Sequence, residues 1–318
     1  MRITESPPTQ TSQRIEKLSE VEEKTFNLLV AEHEEASIDM DEFAYIPRYA
    51  ERLERDKSSV ERMKTIIKKE GTEPTKKSRI LEAIFAQQIE LSNWLGQDVF
   101  TIVPTEYDDL FHGVDLVLEV PKNEDTEYLA MGIDATSSSL ITIRKKLKKI
   151  KENIANGTLT MVEYFHSEDN RPDFYGVLEN IPKVVIGIER QAIQELSELW
   201  MTAYGLPKLR QRAKNPPLSP ESEQKNQRRT VKDAKDKLGK HRVQMLILEE
   251  IKMQLSTFRD FAIQVNQTKT AQKFSSLLEL IDTVLKEKGI PNREDVFKNS
   301  EDRVFQSLSE AVSDFENL

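Results

Sequence analysis

Acidic residues recur between Thr105 and Ser139 in a pattern suited to metal chemistry. Glu106, Asp108 and Asp109 are followed by Gly113-Val114-Asp115-Leu116-Val117-Leu118-Glu119 and then by Gly132-Ile133-Asp134-Ala135-Thr136. On a strand, side chains two apart face the same way. Asp115, Val117 and Glu119 then share one face, opposite Leu116 and Leu118, while Asp134 and Thr136 lie opposite Ile133 and Ala135. If the two strands are neighbours in suitable register, the Asp115 and Asp134 carboxylates converge. Two close carboxylates in a low dielectric repel, and a hard divalent cation such as Mg²⁺ or Mn²⁺ relieves the repulsion by taking their oxygens. Such an ion activates water and neutralises charge on a phosphoryl group. The competing reading is ordinary: acids at strand ends also cap turns.

The elements that must position these acids are short. Runs at 98–104, 115–120, 128–135, 160–165 and 184–189 are β-branched and suited to strands. A helix at 79–95, ended by Gly96, precedes them, with Ile80, Ile84, Leu91 and Leu95 near one face. Leu140 to Ile154 forms a second helix whose Ile143, Leu147, Ile150 and Ile154 mark a buried face, with Ser138 or Ser139 as its cap. A third helix follows at 191–204. This order points to a mixed sheet with helices packed on it. The regular alternation and glycine-rich loop of a dinucleotide fold are missing.

Four regions follow: a tail and helical region at 1–78, the α/β core at 79–206, a basic polar linker at 207–229 and a helical region at 230–318. In the first, 1–13 reads as a frayed tail, and helices are expected at 14–34 and 45–69 with a break at 71–74. The linker is proline-rich, with Pro207, Pro216, Pro217 and Pro220. Beyond it, 231–264 reads as one long helix or as two broken near Gly239, followed by helices at 269–288 and 301–315. These C-terminal helices carry broad apolar faces suited to a small bundle or a homo-oligomer contact.

Composition narrows the classes. With no Cys, disulfides, thiolate zinc sites and cysteine nucleophiles are excluded. No run approaches the roughly 20 apolar residues of a membrane span, and the opening residues have no signal-peptide core. A cytoplasmic protein without membrane insertion is expected. A formal net charge of -9 argues against a nonspecific nucleic-acid coat. Yet residues 208–242 hold twelve Lys or Arg against four acids, so a local basic surface survives the negative total. His33, His112, His166 and His241 show no ligand spacing, and only His112 adjoins the acidic stretch. Tyr164, Phe165, Phe174 and Tyr175 flank a loop at 168–173, where packing of the loop onto its sheet is favoured over base stacking.

The order helix, hairpin with Gly113-Val114-Asp115, strand with Asp134, helix and strand resembles the PD-(D/E)XK nuclease superfamily over about 79–204. The resemblance implies a restriction-endonuclease-like mixed sheet with flanking helices. It also implies that Asp115 and Asp134 bind catalytic Mg²⁺ or Mn²⁺ and that an acid of the first core helix joins them, Glu82 in preference to Glu90. The chain departs from the family at Thr136, where a lysine is usual. Some members carry that lysine on the neighbouring helix, and Lys145 and Lys146 are the candidates here. Their bland reading is a solvated helix face. The function implied is metal-dependent hydrolysis of DNA or RNA phosphodiesters. The alternative is an inactive nuclease-like module that binds nucleic acid or protein, for which Thr136 is the chief support.

Overall fold

The computed structural model describes residues 17–97, 99–122, 127–136, 140–167, 175–212, 221–289 and 301–318. The expected tail at 1–13, the loop at 168–173 with Phe174, and the Ser138 or Ser139 cap lie outside them. Ser19 opens the described chain with a capping box that starts α1 (Glu20–Thr25). A π turn, Phe26–Val30, leads into α2 (Ala31–Glu35). After a 3₁₀ turn at Met40–Phe43 come α3 (Pro47–Ala50) and α4 (Leu53–Glu70), the latter ended by Gly71 at φ 65°.

The first core helix is α5 (Lys76–Ser92), which starts three residues before the expected Arg79 because the Thr75 hydroxyl caps the Ser78 N–H at 3.1 Å. It stops at Asn93, which is left-handed at φ 52°, rather than at Gly96. Leu91, expected on the apolar face, is 56% exposed. The strands are β1 (Phe100–Ile102), β2 (Leu116–Lys122), β3 (Glu127–Thr136), β4 (Thr160–His166), β5 (Tyr175–Ile181) and β6 (Lys183–Gly187). Between them lie α6 (Glu106–His112) and α7 (Leu140–Ala155), with α8 (Arg190–Trp200) after β6.

The central sheet has the order β1-β2-β3-β6, antiparallel except for the parallel β3–β6 pair. A parallel return needs a crossover, and α7 lies within it. β4, one of the runs expected in the mixed sheet, instead pairs with β5 in a separate two-stranded sheet. Its Val162, Tyr164 and Phe165 are buried with Phe43 and Tyr49 in a second core, so burial draws it onto one face of the sheet rather than into it. Leu116, Leu118 and Ile133 face the larger core with Ile84, Leu147 and Ile247, whereas Val117 and Ala130 face the smaller one. Both faces of the sheet are therefore covered.

Past α8 the chain runs through a second π turn, Met201–Gly205, into α9 (Leu206–Arg212). The expected linker at 207–229 is thus helical where described: α10 (Glu221–Gly239) takes up its second half. The widened turn has the Leu206 N–H reaching back to the Met201 carbonyl, which eases Pro207 into the helix despite its missing N–H. Next come α11 (Arg242–Gln264), α12 (Thr268–Glu287) and α13 (Arg303–Ser313), so the break falls at Gly239. The apolar faces that suggested a subunit contact turn inward: Phe258, Phe274 and Phe315 join the core of the sheet. α11 also covers the edge of β6. Gln254 Oε1 accepts from the Val185 N–H at 2.8 Å, its Nε2 donates to the Val185 carbonyl at 2.6 Å, and Glu250 accepts from the Gly187 N–H at 2.9 Å. Side chains thereby replace a missing strand. Among the described residues no helix is long and apolar enough to cross a membrane.

Candidate functional site

A cavity of about 570 Å³ opens where α5, α6 and α7 meet the ends of β2 and β3. Asp115 stands just before β2. Its N–H donates to the Ile133 carbonyl at 2.8 Å, and its Oδ2 accepts from the Ala135 N–H at 2.6 Å. These two bonds bracket Asp134 in sequence, and both aspartates line the cavity together with Glu82 and Asp109. Glu90 lies two turns further along α5 and accepts from Thr101 of β1. Lys146 reaches from α7 to pair with Asp134 Oδ1, whereas Lys145 is exposed. The Lys183 ammonium is 4.0 Å from Asp134 Oδ2 and donates to the His112 and Gly113 carbonyls at 3.1 and 3.0 Å. Gly113, at φ 61°, turns the chain there; a Cβ would stand 3.3 Å from that ammonium.

The charges are strongly coupled. Loss of hydration, then repulsion from Asp134, Glu82 and Asp109, pushes the Asp115 carboxyl well above its ordinary range, against the opposing effect of Lys146. Asp109 is exposed toward the cavity but crowded by protein, and it rises to about 7. Desolvation is the largest cause, followed by the charge of Glu82, while a hydrogen bond with Asp115 opposes the rise. For Lys146 burial disfavours the ammonium, but the charge of Asp134, then of Asp115, outweighs it and raises the pKa. Burial depresses Lys183. Lys146 and Lys183 thus face Asp134, while desolvation favours the protonated forms of Asp109 and Asp115. Hard carboxylate oxygens suit Mg²⁺ or Mn²⁺. Among the described residues, however, no three His, Asp or Glu side chains stand together at metal-ligating positions.

The other acids of the stretch have separate duties. Asp108 is buried and accepts from the Glu163 and Tyr164 N–H groups at 2.6 and 3.1 Å, which ties α6 to β4. Desolvation lifts it to about 6 despite those bonds. Glu106 pairs with Lys64 at 2.6 Å, and Glu119 accepts from Ser167 at 3.1 Å. His112 is 3.9 Å from Asp108 and its pKa is lowered by burial and then by Lys149, so it belongs to that internal network. Tyr164 and Phe165 are fully buried, as the packing reading expects, and Tyr175 stacks on His166 at 5.1 Å. The basic run of α7 is partly taken up by ion pairs: Arg144 is 3.3 Å from both Glu310 and Asp314.

Sequence reasoning missed three contributors to this region. Asp109 stands in the acidic stretch, but strand alternation gives it no role because it lies on α6, whose sequence signals are Thr105 as a cap and Gly113 as a terminator. Lys183 and His33, from elements remote in sequence, carried no spacing signal. Comparison of the chain with protein-family models, curated proteins and solved structures finds no match.

Proposed function

We propose that the cavity binds Mg²⁺ or Mn²⁺ and that the protein hydrolyses DNA or RNA phosphodiesters, as its resemblance to the PD-(D/E)XK superfamily implies. The observation that carries this reading is the meeting of Asp115, Asp134 and Lys146 in one cavity, with Glu82 on its wall. The element order supports the restriction-endonuclease-like assignment: a helix, three antiparallel strands, a crossover helix and a parallel strand. Glu82, Asp115 and Asp134 share the cavity wall without standing at ligating positions, so they would have to close together to hold the ion, which when bound would supply Lewis acidity and neutralise phosphoryl charge. Lys146 brings to Asp134 the positive charge that Thr136 lacks. Paired with Asp134, its ammonium places a positive charge beside the proposed ligands. Among the described residues, seven acidic side chains and two permanent cations, Arg79 and Lys146, line the cavity, so a phosphodiester is repelled until positive charge is added.

The exposed cations of α10, among them Lys225, Arg228, Arg229 and Lys232, provide a sequence-independent track for a backbone. A second reading rests on Asp134, which two lysines already compensate: an inactive nuclease-like module. Calorimetric titration of Mn²⁺ into wild type, Asp115→Asn and Asp134→Asn decides between them when the same preparations are assayed on single- and double-stranded DNA and RNA. The active reading expects Mn²⁺ binding and cleavage by wild type and loss of both in each variant. Equal Mn²⁺ binding by wild type and Asp115→Asn would reject the site. Binding without cleavage of any substrate would favour the inactive module.

A further inference from the structure

His33 sits on α2, 49 residues before Glu82 of α5, yet its Nε2 lies 2.9 Å from Glu82 Oε1. The His33 side chain is 9% exposed and that of Glu82 19%, so the contact is shielded from bulk water on the cavity wall. The contact is satisfied by the tautomer in which Nε2–H donates to the Glu82 side chain, and that tautomer is assigned to His33. Both ends of the segment carrying His33 are anchored. Leu28, Leu29 and Val30 are buried before it, and after it the Ile38 N–H donates to the Val103 carbonyl at 3.0 Å. Glu82 is equally constrained, between the buried Leu81 and Ala83 of α5.

We propose that His33 is a positioning residue: its Nε2–H holds one oxygen of Glu82 and thereby presents the other to a divalent cation beside Asp115. The inference rests on the proposed metal site and assigns it an outer-sphere partner. Without such a bond, Glu82 would share the wall with several other carboxylates and turn away from them. Outer partners of ligating groups typically contribute 10- to 100-fold to metal affinity.

Two substitutions separate positioning from packing. His33→Gln keeps an N–H donor but loses the ring; His33→Phe keeps the ring but loses the donor. Mn²⁺ is titrated calorimetrically into wild type, both variants and Glu82→Gln, with thermal unfolding checking that each is folded. We expect His33→Gln to bind within about threefold of wild type, and His33→Phe to weaken binding about tenfold, approaching the loss in Glu82→Gln. Undiminished binding by His33→Phe, or rescue by Phe and not Gln, would overturn the assignment while leaving the metal site standing. Failure of wild type to bind Mn²⁺ would overturn both.

Discussion

The charge on Asp109 depends on the fold. Desolvation and the neighbouring Glu82 favour its protonated form, so the native chain holds this proton up to about pH 7. The unfolded chain releases it near pH 4. Stability from this group is therefore greatest below the unfolded pKa and falls as pH rises through the window between the two. Asp109→Asn should raise Tm at pH 8 and leave it little changed at pH 4, as a pair of thermal melts would show. An equal shift at both pH values would contradict the assignment. The two candidate lysines are also separable. Lys146 touches Asp134 and Lys145 is exposed, so Lys146→Met should lower any Mg²⁺-dependent cleavage about 100-fold while Lys145→Met stays within about twofold. Parallel cleavage assays on the two variants provide the check.

Among the elements, α10 and β6 make contrasting demands. The cations of α10 are exposed and lie on a helix rather than on a loose linker, so their spacing is fixed relative to one another. Changing Lys225, Arg228, Arg229 and Lys232 to Gln should weaken nucleic-acid binding and flatten its dependence on log salt by up to about 3.6 on duplex DNA. Fluorescence titration at several ionic strengths measures that slope; an unchanged slope would remove α10 from the interface. β6 instead depends on side chains of α11: Gln254 satisfies both backbone groups of Val185 in the buried edge, and Glu250 accepts from the Gly187 N–H. Gln254→Leu leaves that donor and acceptor unpaired and should cost about 3 kcal/mol in urea unfolding. A loss below about 1 kcal/mol would show that water or a shifted strand replaces it.

For the whole molecule, the larger core is continuous from the sheet to the last helix. Ile84, Leu147 and Val185 share it with Ile247, Phe258, Leu308 and Phe315. A chain cut after residue 240 should therefore show no cooperative unfolding transition, despite retaining every strand. A sharp calorimetric transition in that fragment would establish an independently folding α/β unit instead.

What was legible in the sequence followed from local rules. The β-branched runs located β2, β3 and β6, and the 3.6-residue spacing of Ile143, Leu147, Ile150 and Ile154 marked the buried face of α7. The alternation around Asp115 and Asp134 assigned each acid a strand face, and the antiparallel register of β2 on β3 brings both to the wall of one cavity. β5 escaped because its largely uncovered residues, among them Glu179 and Asn180, show no apolar alternation. α9 escaped because proline in isolation signals a break, and only the preceding π turn makes room for it. The sequence by itself determined the strand and helix periods and the acids at the end of the sheet, since these depend on neighbours a few residues away. Only the tertiary structure decided which lysine meets Asp134, that β4 leaves the sheet, that the C-terminal helices fill its core and that His33 meets Glu82. Each of these depends on burial and charge pairing between segments far apart in the chain, for which local spacing holds no signal.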